Sequence, residues 1–228
     1  RDLHSFPTRR SSDLSFGGLI LRSSERMTAE YWLNLYPKEV AEAHKSAAIH
    51  IHDLGWLTGY CAGWSLRELL YEGFNGVKGY LQCAPARHMA TAVSHMVNFL
   101  GSLQNEFAGA QAFSSVYTYL APYVRLDKLS YADVKNSMQT LVFICSVPCR
   151  WGTQTPFINF TFDWTCQKDL RDQRPFVGKQ QVDFTYGDLQ PEMDMINKAF
   201  IEVMTEGDAL GRPFTFPIPT YNITDDFP

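Results

Sequence analysis

A cysteine set between two glycines, Cys61 in "GYCAGWSL", is the residue of this sequence whose setting most suggests chemistry. A structural cysteine usually lies within a continuous apolar run and behaves as a small hydrophobe. Here Gly59 and Gly63 flank the thiol, and glycine lets a ligand or another backbone come close to it. Redox work, metal binding and simple packing beneath Trp64 are all open to such a sulfur. Just upstream, "AIHIHD" alternates, which places His50 and His52 on one side of a strand and Ile49 and Ile51 on the other. A His-x-His-Asp run suits zinc or iron, yet no third His or Cys lies nearby at helical spacing to complete a set. No metal site is expected from it. Cys145 and Cys149 stand four apart, but Pro148 breaks the helix between them and no partner pair exists elsewhere, so both read as structural.

These side chains need elements to hold them, and the composition supplies a core. The chain has 228 residues, 45% of them apolar and 14% aromatic, enough for one large domain or two small ones. A formal charge of −4 and a pI near 5.9 give no electrostatic argument for wrapping a nucleic-acid backbone, which needs a clustered basic face. Five cysteines without a disulfide-framework spacing fit a reducing, cytoplasmic setting. No secretory signal, membrane-spanning run, internal repeat, GxGxxG or P-loop is present, so neither nucleic acid nor membrane is expected as a partner. Residues 4–14, "HSFPTRRSSDL", read as one translated frame of a common sequencing-library adapter. Residues 1–14 are therefore expected to be unstructured and 15–228 to be the genuine chain, truncated at both ends.

Thr28 is placed to cap one helix, and Pro37 to open a second that runs to about Ser46. The strongest periodic signal covers residues 84–107, with Pro85 at its start and Met89, Val93, Met96, Leu100, Leu103 and Phe107 on one face. Thr91, His95, Asn98 and Ser102 mark the other face, and no formal charge lies between Arg87 and Glu106. A helix without a charged face is expected to be buried on both sides, either inside a large domain or against a second subunit. "GAQAFSSVYTYLAPYVRLD" reads as a further amphipathic helix. "SYADVKNSMQTLVFICSVPC" reads as another, opened by a capping box from Ser130 to Asp133. "FINFTFDW" alternates as a strand with Ile158, Phe160, Phe162 and Trp164 on one face and Asn159, Thr161 and Asp163 on the other. That pattern suits a strand lining a catalytic barrel, or one face of an open antiparallel sheet. A helix from about Pro191 to Thr205 follows, then a strand, "PFTFPIPTYNIT", whose three prolines deny it a full central ladder.

Four blocks in order carry a family resemblance: "HIHDLGWLTGYCAGWSLRELLYEGFNGV", "HMVNFLGSLQNEFAGAQAFSSVYTYLAPYV", "QTPFINFTFDW" and "TFPIPTYNIT". Together they resemble the anaerobic, class III ribonucleoside-triphosphate reductases. The resemblance implies an α/β fold, the first half of a ten-stranded barrel of the glycyl-radical type with long buried interface helices. It also implies a thiyl radical, made by a C-terminal glycyl radical, that takes the 3′-hydrogen of a ribonucleoside triphosphate. The 2′-hydroxyl leaves as water, and a second cysteine, matched by Cys61, supplies reducing hydrogen from the opposite face. Deoxynucleotide and ATP effectors, a homodimer, a radical-SAM activating enzyme and either formate or a thioredoxin-like reductant come with the family. Effectors bind in the region matching residues 84–125, where Gln104, Glu106 and Gln111 are the polar candidates. For substrate, Gln154, Thr155 and Asn159 could bond ribose or phosphate oxygens. The finger-loop cysteine, the glycyl-radical motif, the C-terminal four-cysteine zinc site and any ATP cone fall outside these residues. Cys83, Cys145, Cys149 and Cys166 lack the context to replace them, so the fragment alone is expected to be inert. An acyl-lyase of the same barrel type and a non-catalytic nucleotide-binding dimerisation module are the rival readings.

Overall fold

The computed structural model describes residues 16–75, 79, 82–147, 155–225 and 227. The expectations for residues 1–14, Pro148, Cys149 and Gln154 lie outside the described residues. The helices are α1 (Phe16–Leu35), α2 (Lys38–Lys45), α3 (Leu66–Glu72), α4 (Met89–Leu103), α5 (Val116–Leu126), α6 (Tyr131–Ser146) and α7 (Gln190–Glu206). The strands are β1 (Ala62–Trp64), β2 (Gln111–Phe113), β3 (Ile158–Asp163), β4 (Phe176–Val177), β5 (Gln180–Gln181) and β6 (Ile218–Asn222). A short 3-10 helix, Tyr186–Leu189, leads into α7.

Four strands form one parallel sheet in the order β1-β2-β3-β6, and β4 and β5 make a small antiparallel pair. This is α/β architecture, and the parallel pairing excludes the open antiparallel sheet. The strand β3 shows why the sheet sits where it does. Ile158, Phe160 and Phe162 are buried, while Asn159 and Thr161 on the other face are partly exposed. The apolar face packs under helices: Tyr117 of α5 stacks on Phe162 with ring centroids 4.0 Å apart, and Phe200 of α7 lies 4.7 Å from the same ring. The Tyr117 hydroxyl pairs with that of Tyr221 on β6 at 3.0 Å, and Tyr221 donates to Asn197 of α7 at 2.8 Å. Asp163 ends β3 at 2% exposure and accepts from Gln167 (2.6 Å), Asn222 (2.8 Å) and Thr118 (3.1 Å). A buried carboxylate requires such donors, and these three fasten α5, β6 and the turn after β3 to one point.

Several elements differ from the sequence expectations. Thr28 does not cap a helix: α1 runs through it from Phe16 to Leu35, because Leu, Arg, Glu, Met and Ala on either side offer no breaker. The expected strand at His50 and His52 is a loop and turn, with Asp53 in the left-handed region at φ 56°. Pro85 lies before α4, which starts at Met89 because its first amide is capped from elsewhere. Asp127 accepts from the Met89 N–H at 3.0 Å and pairs with His88 Nδ1 at 2.8 Å. Within this chain α4 buries one side only. Ala90, Ser94, Asn98 and Ser102, four apart, stay exposed. The expected helix from Gly109 contains a strand instead, β2, and Ser115 at φ 54° separates it from α5. The capping box of Ser130 and Asp133 and the helix near Pro191 appear as read, and the Pro-containing strand β6 pairs on one side only, with β3, among the described residues.

Phe162→Ala is expected to lower unfolding free energy by about 3–5 kcal/mol, because it opens a cavity under two helices. Phe143→Ala, at a side chain 59% exposed, is expected to stay within about 0.5 kcal/mol. Urea denaturation of the two variants checks both.

Candidate functional site

Cys61 is exposed and immediately precedes β1. Its Sγ accepts the Ala110 N–H at 3.2 Å, and the Ala62 N–H in turn bonds Ala110 O at 3.0 Å. The sulfur is therefore held by the backbone just before β2. The two glycines around it do different work from each other, and neither takes a positive φ. At Gly59 an added Cβ would meet the Phe107 ring at 3.2 Å, so this glycine makes room for an aromatic side chain. At Gly63 an added Cβ would meet nothing within 4 Å, so this glycine leaves open space. The close approach to the sulfur itself is at Gly109, absent from the sequence expectations, where a Cβ would lie 2.5 Å from Cys61 Sγ and 2.7 Å from Tyr60 O.

The register defines a row across the sheet: Gly63, Ala112, Asn159 and Ile218 are successive Cα partners. Since side chains alternate, Cys61 shares its face with Gly63 and hence with Asn159, two strands or roughly 10 Å away. The floor between them is Gly63 and Ala112, which carry little or no side chain. Asn159 is fixed by donating to Ile218 O (3.1 Å) and to Thr220 Oγ1 (2.9 Å). Among the described residues no helix covers this face. Thr161 and Thr220 also belong to it, and the alternation in "FINFTFDW" and "PTYNIT" was the available signal for both. Thr155 is not part of this row. It borders a separate groove with Phe143, Asp208 and Arg212.

The other candidates spread out along the end of α4. Gln104 is 2% exposed and lies at the floor of a groove of about 300 Å³ with Asn98, Ser102, Ile144 and Pro156. Glu106 is exposed nearby. Gln111 is fully buried, and its Oε1 accepts the Trp64 indole N–H at 2.6 Å. Trp64 packs edge-on to Phe99 and Phe107 at 5.4 and 5.7 Å. Gln111 therefore joins β1 to β2 and does not reach a ligand surface.

The histidine cluster is larger than the sequence suggested. Rings of His44, His50 and His52 follow one another at 5.6 and 5.9 Å, and His52 Nδ1 lies 2.6 Å from Asp53. His44 Nδ1 already accepts the Ile51 N–H at 3.1 Å. Among the described residues no three His, Cys, Asp or Glu side chains are grouped to hold a metal ion. Asp53, through its charge, is the main cause that pushes the neighbouring Tyr60 phenol above its ordinary value. Cys83 touches His95 Nε2 at 3.1 Å, and burial of His95 holds its pKa below the ordinary 6.5.

The site belongs to a class: a parallel α/β sheet whose uncovered face carries one exposed cysteine above a floor of small residues. The family model for anaerobic ribonucleoside-triphosphate reductase matches residues 11–228, and the chain belongs to that family. That membership decides against the acyl-lyase reading. The anaerobic ribonucleoside-triphosphate reductase of Enterobacteria phage T4 is 25% identical over 194 residues, covering 72% of this chain and 30% of the relative. The Escherichia coli K12 enzyme of that name is 23% identical over 187 residues, covering 71% and 25%. The chain thus spans a third or less of these relatives. The Thermotoga maritima anaerobic ribonucleotide reductase, solved with dATP and CTP, superposes with a TM-score of 0.72 at 20% identity. It matches 91% of this chain and 38% of that one, which establishes a shared fold. Another structure of that enzyme has dATP in its specificity site, at a TM-score of 0.69 and 21% identity.

Gly109→Ala is expected to displace Cys61, since a methyl cannot fit against both Sγ and the Tyr60 carbonyl. Destabilisation of about 1–3 kcal/mol and an altered iodoacetamide labelling rate at Cys61, read by peptide mass spectrometry, are the outcomes. Gly63→Ala, with open space at its Cβ, is the control and leaves stability nearly unchanged.

His95 gives a pH dependence of defined sign. Above its ordinary pKa of 6.5 the imidazole is neutral both folded and unfolded. Below that, the unfolded chain takes up a proton that the buried ring resists, so stability falls with pH from about 6.5 downward until the lowered folded pKa is reached. His95→Gln is expected to flatten that fall in thermal melts between about pH 7 and 5.

Proposed function

We propose that the protein carrying this chain reduces ribonucleoside triphosphates to deoxyribonucleoside triphosphates by radical chemistry, with Cys61 as the reducing thiol of the substrate face. The observation that carries this is the exposed Sγ of Cys61 on the uncovered face of the sheet, held by the Ala110 N–H. Family membership supports the reaction. The row of Gly63, Ala112 and Asn159 beside it suits a flat sugar ring, because small residues leave room and a fixed amide offers a hydrogen bond. In this reading the sheet is the first half of a ten-stranded barrel, and its polar face looks into the barrel.

Cys61 delivers a hydrogen atom to the ribose radical left when the 2′-hydroxyl departs as water, and the strand backbone keeps the sulfur aimed during that step. Its sulfur is left as a thiyl radical that hydrogen from formate or the thioredoxin-like reductant would return to the thiol. The family's glycyl radical would supply the initiating hydrogen abstraction from residues not in this chain. A zinc site finds no fit among the described residues, and no step is assigned to it. Asn159 orients substrate, with Gln154 and Thr155 as further candidates. Effector deoxynucleotides or ATP bind near the end of α4, with Gln104 and Glu106 at the groove and Gln111 positioning the strands behind it. The uncharged strip of Ala90, Ser94, Asn98 and Ser102 on α4 pairs with a second copy. A radical-SAM activase and formate or a thioredoxin-like reductant complete the system. We place the enzyme in the cytoplasm; no helix among the described residues is long and apolar enough to cross a membrane.

Cys61→Ser in the intact protein is expected to lower deoxynucleotide formation at least about a hundredfold, or ~2.7 kcal/mol. Its hydroxyl matches the thiol in size, but the stronger O–H bond does not yield the hydrogen. Effector binding and the glycyl-radical signal in electron paramagnetic resonance are expected to persist. Turnover within about tenfold of the wild type, only ~1.4 kcal/mol, would mean that Cys61 is structural.

A further inference from the structure

On the helix-covered side of the sheet, a cavity of about 250 Å³ lies between α3, α5 and the segment that carries β4 and the 3-10 helix. Its walls include Arg67 of α3, Arg174 just before β4, Tyr119 of α5 and Tyr186 of the 3-10 helix. Tyr186 is 6% exposed, and its hydroxyl makes no hydrogen bond among the described residues although the side chain lines the cavity. The ring is buried, while the hydroxyl opens onto the cavity and is free to bond what enters it.

The two arginines point to what enters. Neither Arg67 nor Arg174 forms an ion pair among the described residues. Arg125 and Arg212, by contrast, are matched to Glu192 and Asp208. Burial pushes the Tyr119 and Tyr186 phenols up, and the charge of Arg67 opposes it at both, so the guanidinium faces these two rings. Glu68 also borders the cavity. Neighbouring residues on a helix diverge, however, so it does not pair with Arg67. Asp169 and Asp163 are also near enough to raise Tyr119 by their charge, but neither forms an ion pair with Arg67 or Arg174, so two unpaired guanidinium groups border the cavity beside the phenols. Tyr71 and Phe176 close another wall, edge to face at 5.3 Å. The aromatic positions are fixed by backbone bonds: Tyr186 N–H donates to Gln173 O at 3.0 Å and Gly187 N–H to Arg171 O at 2.9 Å.

We propose that this cavity is a binding site for a small phosphomonoester, its phosphate held by Arg67, Arg174 and the Tyr186 hydroxyl and its organic part against Tyr71 and Phe176. Guanidinium forks match phosphate oxygens in geometry and charge. The volume admits a phosphate with a compact organic group and falls short of enclosing a nucleoside triphosphate. The site lies across the helix layer from Cys61 and rests on no assumption about that residue.

The test is titration of phenyl phosphate into the protein by calorimetry, with inorganic phosphate, benzoate and ATP as separate arms. Phenyl phosphate is expected to bind with a Kd below about 1 mM, and inorganic phosphate and benzoate at least about tenfold more weakly. Arg67→Gln with Arg174→Gln is expected to weaken phenyl phosphate at least about tenfold. Tyr186→Phe is expected to weaken it severalfold. Both arginines are exposed, so unchanged thermal melts are expected to accompany the loss. Tyr119 and Tyr186 ring protons should shift in NMR spectra of the wild type on titration, a readout that needs no variant. No binding, binding indifferent to the substitutions, equal affinity for inorganic phosphate, or tighter binding of ATP at the same residues would each overturn the proposal.

Discussion

The position of Cys61 depends on the burial of one face of β3. The strands β1 and β2 are too short to persist alone, and parallel strands lack a hairpin to hold them together. They are fixed by pairing laterally onto β3, whose Ile158, Phe160 and Phe162 are buried beneath α5 and α7. Each such aromatic contributes about 2–3 kcal/mol by leaving water, and the stacked Tyr117 ring adds shape to the contact. The carboxylate of Asp163 then sets the depth of the arrangement, because its three donors come from three different elements. A thiol at the far end of β1 thus inherits its place from aromatic packing two strands away.

The two faces of this sheet obey different rules. Parallel sheets are ordinarily apolar on both sides, since crossover helices cover both. Here the helices α4, α5, α6 and α7 pack on one side, where Phe113, Phe160 and Phe162 lie. The other side presents Cys61, Gly63, Ala112, Asn159 and Thr161, which are small or polar. Such a face gains little by being packed dry. It gains by lining a space in which hydrogen bonds are made to something that arrives.

What the sequence made legible follows from how local each cause is. The alternation in β3 is a property of consecutive residues, and so is the box in which Ser130 and Asp133 cap α6. Both were readable. The start of α4 was not, because its cap is Asp127, 38 residues along the chain from Met89. The short strand β2 was hidden inside an apparent helix because its identity rests on pairing with β1 and β3, which overrides local propensity. His50 and His52 alternate with apolar neighbours, yet the left-handed turn at Asp53 curls the segment into a loop. Gln111 was an effector candidate because nothing local reveals that Trp64, 47 residues earlier, bonds its buried amide. The functional reading of Cys61 came from long ordered blocks of family resemblance, not from its glycines, whose actual roles are clearance for Phe107 and open floor.

The thiol and the effector candidates are joined by a short stretch of chain. From Gln104 at the end of α4, the segment reaches Phe107, which packs on Trp64 and occupies the space left by Gly59. The next residues bond directly to the cysteine strand: Ala108 N–H to Gly59 O at 3.1 Å and Ala110 N–H to Cys61 Sγ at 3.2 Å. Gly109 between them has no room for even a methyl group. Packed interiors deform little and transmit displacement, so a shift of the Gln104–Phe107 segment must reach the sulfur or break these contacts. A route of this kind carries regulation only if it has two arrangements that a ligand distinguishes. The residues with the freedom to provide them are those of the loop itself, since β2 beyond it is fixed on both edges by β1 and β3. The hydrogen bond from the Ala110 N–H that holds the Cys61 sulfur is therefore the point at which events at the end of α4 would register.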